Sequence, residues 1–172
     1  MTAKKNLLII YMGNGKGKTT AALGLASRML GHDKNVCICQ FIKQDSSTGE
    51  YKFFDNIENA EIYLLGNGFV FDDKNKESHR KSARDALAIL RQKILSSKYS
   101  LIIADEMLDA IELGFIEPSE VIELVDYGSS TLLLTGRKAP KELIEQADTI
   151  TEMKEVKHHY QKGLKAVKGI EF

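Results

Sequence analysis

Little in this chain would draw it to a nucleic acid or an anionic bilayer. Lys and Arg together number 24, Asp and Glu together number 24, and the formal net charge is zero. Without a basic excess there is no electrostatic footprint for a motor on DNA. Long apolar runs are missing as well. The stretch from Leu7 to Met12 behind the basic start spans about six residues, too few for a signal-peptide core or a membrane span, so a soluble, cytoplasmic protein is expected. Cysteine is scarce, with only Cys37 and Cys39, two apart in the apolar run from Val36 to Ile42. A disulfide at that spacing is geometrically poor and no further metal ligands lie nearby, so both are expected as small buried side chains on one side of a strand. The sequence shows no repeat, heptad or low-complexity segment.

What the chain does have, in 172 residues and 19.2 kDa, is enough length for one well-buried core. Its most informative run is Gly13, Asn14, Gly15, Lys16, Gly17, Lys18, Thr19 and Thr20, placed directly behind the apolar stretch Leu7 to Met12. This order reads as a phosphate-binding loop between a buried strand and a helix. Glycines let successive N–H groups turn inward on phosphate oxygens, the helix adds the positive end of its dipole, and Lys18 brings a mobile ammonium. Thr19 offers a hydroxyl to Mg²⁺. The usual spacing asks for a glycine where Met12 stands, and the bland alternative is a glycine-rich turn with no ligand. Helix-forming residues from Thr20 to Leu30 follow, with Gly31 as the expected C-terminal cap.

Strand and helix signals then alternate. Strands are expected at Val36 to Ile42, Ala60 to Leu65, Tyr99 to Glu106, Ser130 to Thr135 and Thr149 to Met153. A short possible helix precedes the second of these. Further helices are expected over Lys76 to Ser97, Pro118 to Tyr127 and Lys141 to Ala147, before a basic, irregular tail. Continuous apolar strands alternating with helices predict a single α/β domain over residues 1–172, with a P-loop NTPase-like parallel sheet covered by helices on both faces. Ligands of such sheets bind beyond the carboxyl ends of the strands, which gathers the phosphate loop, Gln40 to Lys43, Gly66 to Phe71, Asp105 with Glu106, and Thr135 to Arg137 along one edge.

Asp105 and Glu106 fit the acidic strand end that such folds aim at a nucleotide's Mg²⁺; the alternative is a solvated pair opening a helix. Arg137 is placed to bring a guanidinium to a triphosphate oxygen, although a loop arginine is commonly just solvated. Phe69 and Phe71 in a glycine-rich loop read either as anchors packed into the core or as an aromatic wedge against a large flat ligand.

These residues resemble the P-loop class of ATP:corrinoid adenosyltransferases nearly end to end. The likeness runs through Gly13 to Ala22, Gln40 to Lys43, Gly66 to Phe69, Asp105 with Glu106, Leu134 to Pro140, and a tail from Thr151 to Phe172 that generic P-loop enzymes lack. The resemblance implies that a corrinoid cobalt(I) attacks C5′ of ATP and releases inorganic triphosphate, with ATP reversed in the loop. It implies Lys18, Thr19 and Glu106 as catalytic residues, and Thr19, Glu106 and Asp105 at Mg²⁺. ATP and corrinoid would be held by Gly13 to Thr20, Arg28, Phe69, Phe71, Arg137 and His158.

In the family, the loop matching Phe69 and Phe71 carries phenylalanine and tryptophan that displace the lower ligand of cob(II)alamin. Phe71 stands where tryptophan is common. Met12 replaces a frequent threonine, and His159 stands where proline commonly follows His158. An electron-donating reductase or flavoprotein, an adenosylcobalamin-dependent acceptor enzyme and a homodimer are the implied partners, with no nucleic acid and no membrane. An ordinary P-loop ATPase or small-molecule kinase is the rival reading, and a non-catalytic corrinoid or nucleotide carrier a second.

Overall fold

Six strands in the order β3-β2-β4-β5-β1-β6 make one sheet in which every pairing is parallel. They are β1 (Leu8–Met12), β2 (Val36–Gln40), β3 (Ala60–Leu64), β4 (Leu101–Asp105), β5 (Thr131–Thr135) and β6 (Thr149–Glu152). The computed structural model describes residues 6–68 and 76–172. Between the strands run α1 (Lys18–Leu30), α2 (Gly49–Phe54), α3 (Lys76–Leu95), α4 (Met107–Glu112), α5 (Pro118–Tyr127) and α6 (Lys141–Gln146). A 3-10 turn, His159–Lys162, lies in the tail.

The period-two alternation of a strand divides the core between the two sheet faces. In β4, Ile102 and Ala104 point toward α3, α4, α5 and α6, where Leu87, Leu90, Met107, Val121 and Leu143 pack. Leu101 and Ile103 point the other way, onto α1 and α2, through Ala22, Ala26 and Phe54. Both faces are therefore dry, which is why β2 and β4 are buried at every position. Cys37 and Cys39 point to the same face with their Sγ atoms 3.8 Å apart, both free and fully buried, as the spacing predicts.

Helix ends follow local chemistry. At α5, Pro118 occupies the first turn and Glu117 and Glu120 form a reciprocal capping box. α1 starts at Gly17, which sits at φ 110° and frees the first amides to face the loop. At its other end Gly31 is right-handed, at φ −63°, and the left-handed residue that reverses the chain is Asp33. The expected strands are shorter at their ends than the apolar runs, since Phe41, Leu65 and Glu106 leave the ladder to build the edge above it.

Candidate active site

The carboxyl ends of β2, β4 and β5 and the first turn of α1 meet around one buried carboxylate. Asp105, the last residue of β4, is fully buried. Its Oδ1 accepts hydrogen bonds from Thr19 Oγ1 at 2.9 Å and Thr135 Oγ1 at 2.7 Å, and its Oδ2 accepts from Gln40 Nε2 at 3.1 Å. Lys43 Nζ stands 3.6 Å from the same Oδ2 and 2.8 Å from Glu50. Burial opposes the charge on Lys43, but Asp105 and Glu50 outweigh it and hold the ammonium above its ordinary range. Thr135 serves twice, because its hydroxyl oxygen also accepts the backbone N–H of Glu106 at 2.8 Å.

Glu106 turns the chain from β4 into α4 in the left-handed region, at φ 61°. Burial, and next the charge of Asp105, push its carboxyl up to about 7. Its Oε2 is buried with no hydrogen-bond partner among the described residues. A buried, unpartnered carboxylate oxygen beside the Thr19 hydroxyl and Asp105 is a hard-oxygen donor set, and it suits Mg²⁺.

The glycine loop is shaped from behind by the far end of the chain. Gly13 N donates to Arg137 O at 2.9 Å, and Gly15 N donates to Met153 O at 2.7 Å. A Cβ on Gly13 would lie 2.3 Å from Met153 O, and one on Gly15 2.7 Å from the same oxygen. Gly13 also holds φ 114°. Only glycine fits against this backbone roof. Lys18 Nζ donates to Gly13 O at 2.7 Å and Gly15 O at 2.8 Å, so the ammonium sits over the loop. Burial lowers the Lys18 pKa, a shift opposed by nearby Asp109.

A crevice of about 480 Å³ opens in front of these groups, lined by Lys16, Lys18, Thr19, Glu106, Asp109 and Arg137 among others. Arg137 reaches it from the loop after β5, with its Nε 3.9 Å from Asp109 Oδ1 and its backbone N–H donating to the same oxygen at 3.3 Å. A second crevice of about 460 Å³ adjoins the loop on its tail side, and Asn14, Lys16, Lys18, Arg137 and His158 line it. The fold thus brings Gly13 to Thr20, Asp105, Glu106, Arg137 and His158 to one edge.

Arg28 is not brought there. It lies in the last turn of α1, ten residues beyond Lys18 or about 15 Å along the helix, at the end facing away from the phosphate loop.

Phe69 and Phe71 lie outside the described residues. The residues leading to them are held to the site edge: Leu65 N donates to Gln40 O and Gly68 N donates to Ile42 O at 2.8 Å. Sequence reasoning assigned no role to Asp109, Thr135, Lys43 or the Met153 backbone. Asp109 had a readable signal, since it stands three residues after Glu106 on a short helix and so shares its face.

The chain matches the family described as ATP:corrinoid adenosyltransferase BtuR/CobO/CobP over residues 4–172. It is similar to a corrinoid adenosyltransferase of Pseudomonas aeruginosa, 35% identical over 98% of this chain and 85% of that protein. The likeness to the corrinoid adenosyltransferase of Escherichia coli K12 is 32%, over 98% of this chain and 87% of the other. For the enzyme of Salmonella typhimurium it is 30%, over the same shares.

Proposed function

The chain belongs to the ATP:corrinoid adenosyltransferase family and transfers the 5′-deoxyadenosyl group of ATP to a corrinoid, and on that premise we propose that its phosphate loop holds the triphosphate as a leaving group. The observation that carries this is the convergence of the Lys18 ammonium, Gly17 with the first turn of α1, Arg137 and the Thr19–Asp105–Thr135 network on one crevice. In the reaction the cobalt(I) electron pair forms a bond to C5′. The C5′–O bond breaks and its pair departs on the triphosphate.

No protein nucleophile or general base is needed for that displacement, so the residues act by placement and charge. Lys18 lies over the loop to meet phosphate oxygens, and the first amides of α1 face the same space with the positive end of the helix dipole. Arg137, in the loop after β5, supplies a second cation to the same crevice. Asp105 keeps the Thr19 hydroxyl oriented by accepting its hydrogen bond, and Thr135 locks both acids relative to β5. Thr19, Glu106 and Asp105 are the residues that would hold Mg²⁺, and a bound Mg²⁺ supplies neutralisation of triphosphate charge.

A reductase or flavoprotein supplies the electron that makes cobalt(I). We further propose that the enzyme works as a homodimer in the cytoplasm; in support of the dimer, Val156, Tyr160 and Leu164 are exposed apolar residues of the kind a second copy covers. Among the described residues no helix is long and apolar enough to cross a membrane. Phe69 and Phe71 are assigned to the corrinoid side, next to the anchored Leu65–Gly68 segment.

The deciding experiment supplies ATP and a chemically reduced corrinoid and quantifies products. One inorganic triphosphate per adenosylated corrinoid is expected. Formation of ADP and phosphate in proportion to turnover would overturn the leaving-group assignment.

A further inference from the structure

The last six residues fold back onto the phosphate loop. Glu171 N and Ile170 N both donate to Val167 O at 3.0 Å, and Gly169 N donates to Phe172 O at 2.7 Å, closing a compact turn. The Glu171 side chain is held by it, with Oε2 accepting the Val167 N–H at 2.6 Å. That fixes where its second oxygen faces. Oε1 lies 3.4 Å from Lys16 Nζ and 3.4 Å from His159 Nε2. Lys16 Nζ also donates to Ile170 O at 2.9 Å. The ammonium of a residue inside the glycine loop is thus occupied by a carbonyl and a carboxylate from a segment 154 positions away in sequence.

Lys16 lines both crevices that flank the loop. A carboxylate aimed at it lowers the positive potential available to a bound polyanion and offers the ammonium another partner. Inorganic triphosphate carries several negative charges and gains from every loop cation, so its release is the step such a counter-charge affects most.

We propose that Glu171 is an internal counter-anion that competes with triphosphate for Lys16 and thereby sets the release of the leaving group. The proposal rests on the reading that triphosphate occupies this loop. Glu171 is a positioning residue, acting through Lys16 and not on the reacting atoms. When triphosphate occupies the loop, Lys16 leaves the tail; as the tail recaptures it, one cation is withdrawn from the product.

The test is calorimetric binding of inorganic triphosphate to the full chain, for the parent, Glu171→Gln, Glu171→Ala, Lys16→Ala, Lys18→Ala and the Lys16→Ala/Glu171→Gln pair. Glutamine retains an oxygen for the Val167 N–H and removes only the charge. Alanine removes both, which separates loss of charge from loss of the turn. The expected result is binding about threefold to fivefold tighter in both Glu171 variants, the range of a partly exposed ion pair. Lys16→Ala should weaken binding, and adding Glu171→Gln to it should change nothing further. In Glu171→Gln, steady-state turnover should fall while the single-turnover rate of adenosyl transfer stays at the parent value.

Unchanged or weaker triphosphate binding in Glu171→Gln overturns the proposal, and so does equal tightening with and without Lys16, which would mark a diffuse charge effect. If Lys18→Ala binds triphosphate as the parent does, the underlying placement of triphosphate is wrong. Binding that depends on Lys18 but is indifferent to Glu171 removes this inference alone.

Discussion

Thr19 and Asp105, 86 residues apart, are joined by a 2.9 Å hydrogen bond that ties the first turn of α1 to the end of β4. Because Asp105 also accepts from Thr135 and Gln40, three strand ends and one helix share a single buried carboxylate. Asp105→Asn keeps the shape but turns one acceptor oxygen into a donor facing donors. It should cost roughly 1–3 kcal/mol, the penalty of an unsatisfied buried polar group. Urea unfolding checks this: the midpoint should fall with an unchanged slope, and an unmoved midpoint would show that the network adds nothing to stability.

Lys18→Ala removes the ammonium over the loop while leaving the core untouched. Adenosyl transfer should fall by about 10²–10³, the scale of losing one preorganised charge-stabilising donor. The assay is single-turnover adenosylation at saturating ATP. A decrease confined to the KM for ATP would mean that Lys18 binds ground state and transition state equally.

Two glycines should respond in opposite directions to the same substitution. Gly13→Ala places a methyl 2.3 Å from Met153 O at a left-handed φ, so the loop and the chain after β6 must separate. Gly24 lies inside α1 with open space where its Cβ would go. Gly24→Ala should stabilise by about 0.4–1 kcal/mol through helix propensity and a less flexible unfolded chain. Parallel thermal melts decide it: Gly13→Ala should melt below the parent and Gly24→Ala above it.

Away from the site, Glu61 supplies a pH-dependent stabilisation. Burial tends to raise its carboxyl, but hydrogen bonds from Lys98, Tyr63 at 2.5 Å and Lys93 at 2.9 Å outweigh that and hold it well below the usual carboxylate range. A carboxyl depressed in the fold binds fewer protons than in the unfolded chain, so its stabilisation is complete above the unfolded value near 4.3 and is lost as pH falls below it. Glu61→Gln should therefore melt lower than the parent at pH 7, with the gap closing toward pH 2. A gap independent of pH would assign the effect to packing.

The alternation of strands and helices was legible because β2 and β4 are buried on both faces and so read as unbroken apolar runs. The phosphate loop was legible because its glycines and Lys18 are local in sequence. Glu106 was readable as an acid at a strand end, but its left-handed backbone carries no sequence mark, since the turn is imposed by Thr135 from β5. Arg28 follows the motif in sequence but stands at the far end of α1, because proximity along the chain becomes distance along a rigid helix. The contact of Glu171 with Lys16 was not legible at all: an acid near the C-terminus carries no signal of which loop it returns to until the sheet order places β6 beside β1.

The Met153 roof makes the nucleotide site a product of completed folding. Its glycines come near the start of the chain, yet the wall that holds them follows the last strand, which pairs with β1 at the edge of the sheet. Such a long-range closure forms late, because its loop entropy must be met before its contacts are gained. A nascent chain would thus display its Gly-Lys-Thr motif long before it could grip a triphosphate, and ATP affinity should act as a reporter of whether the final strand is in place.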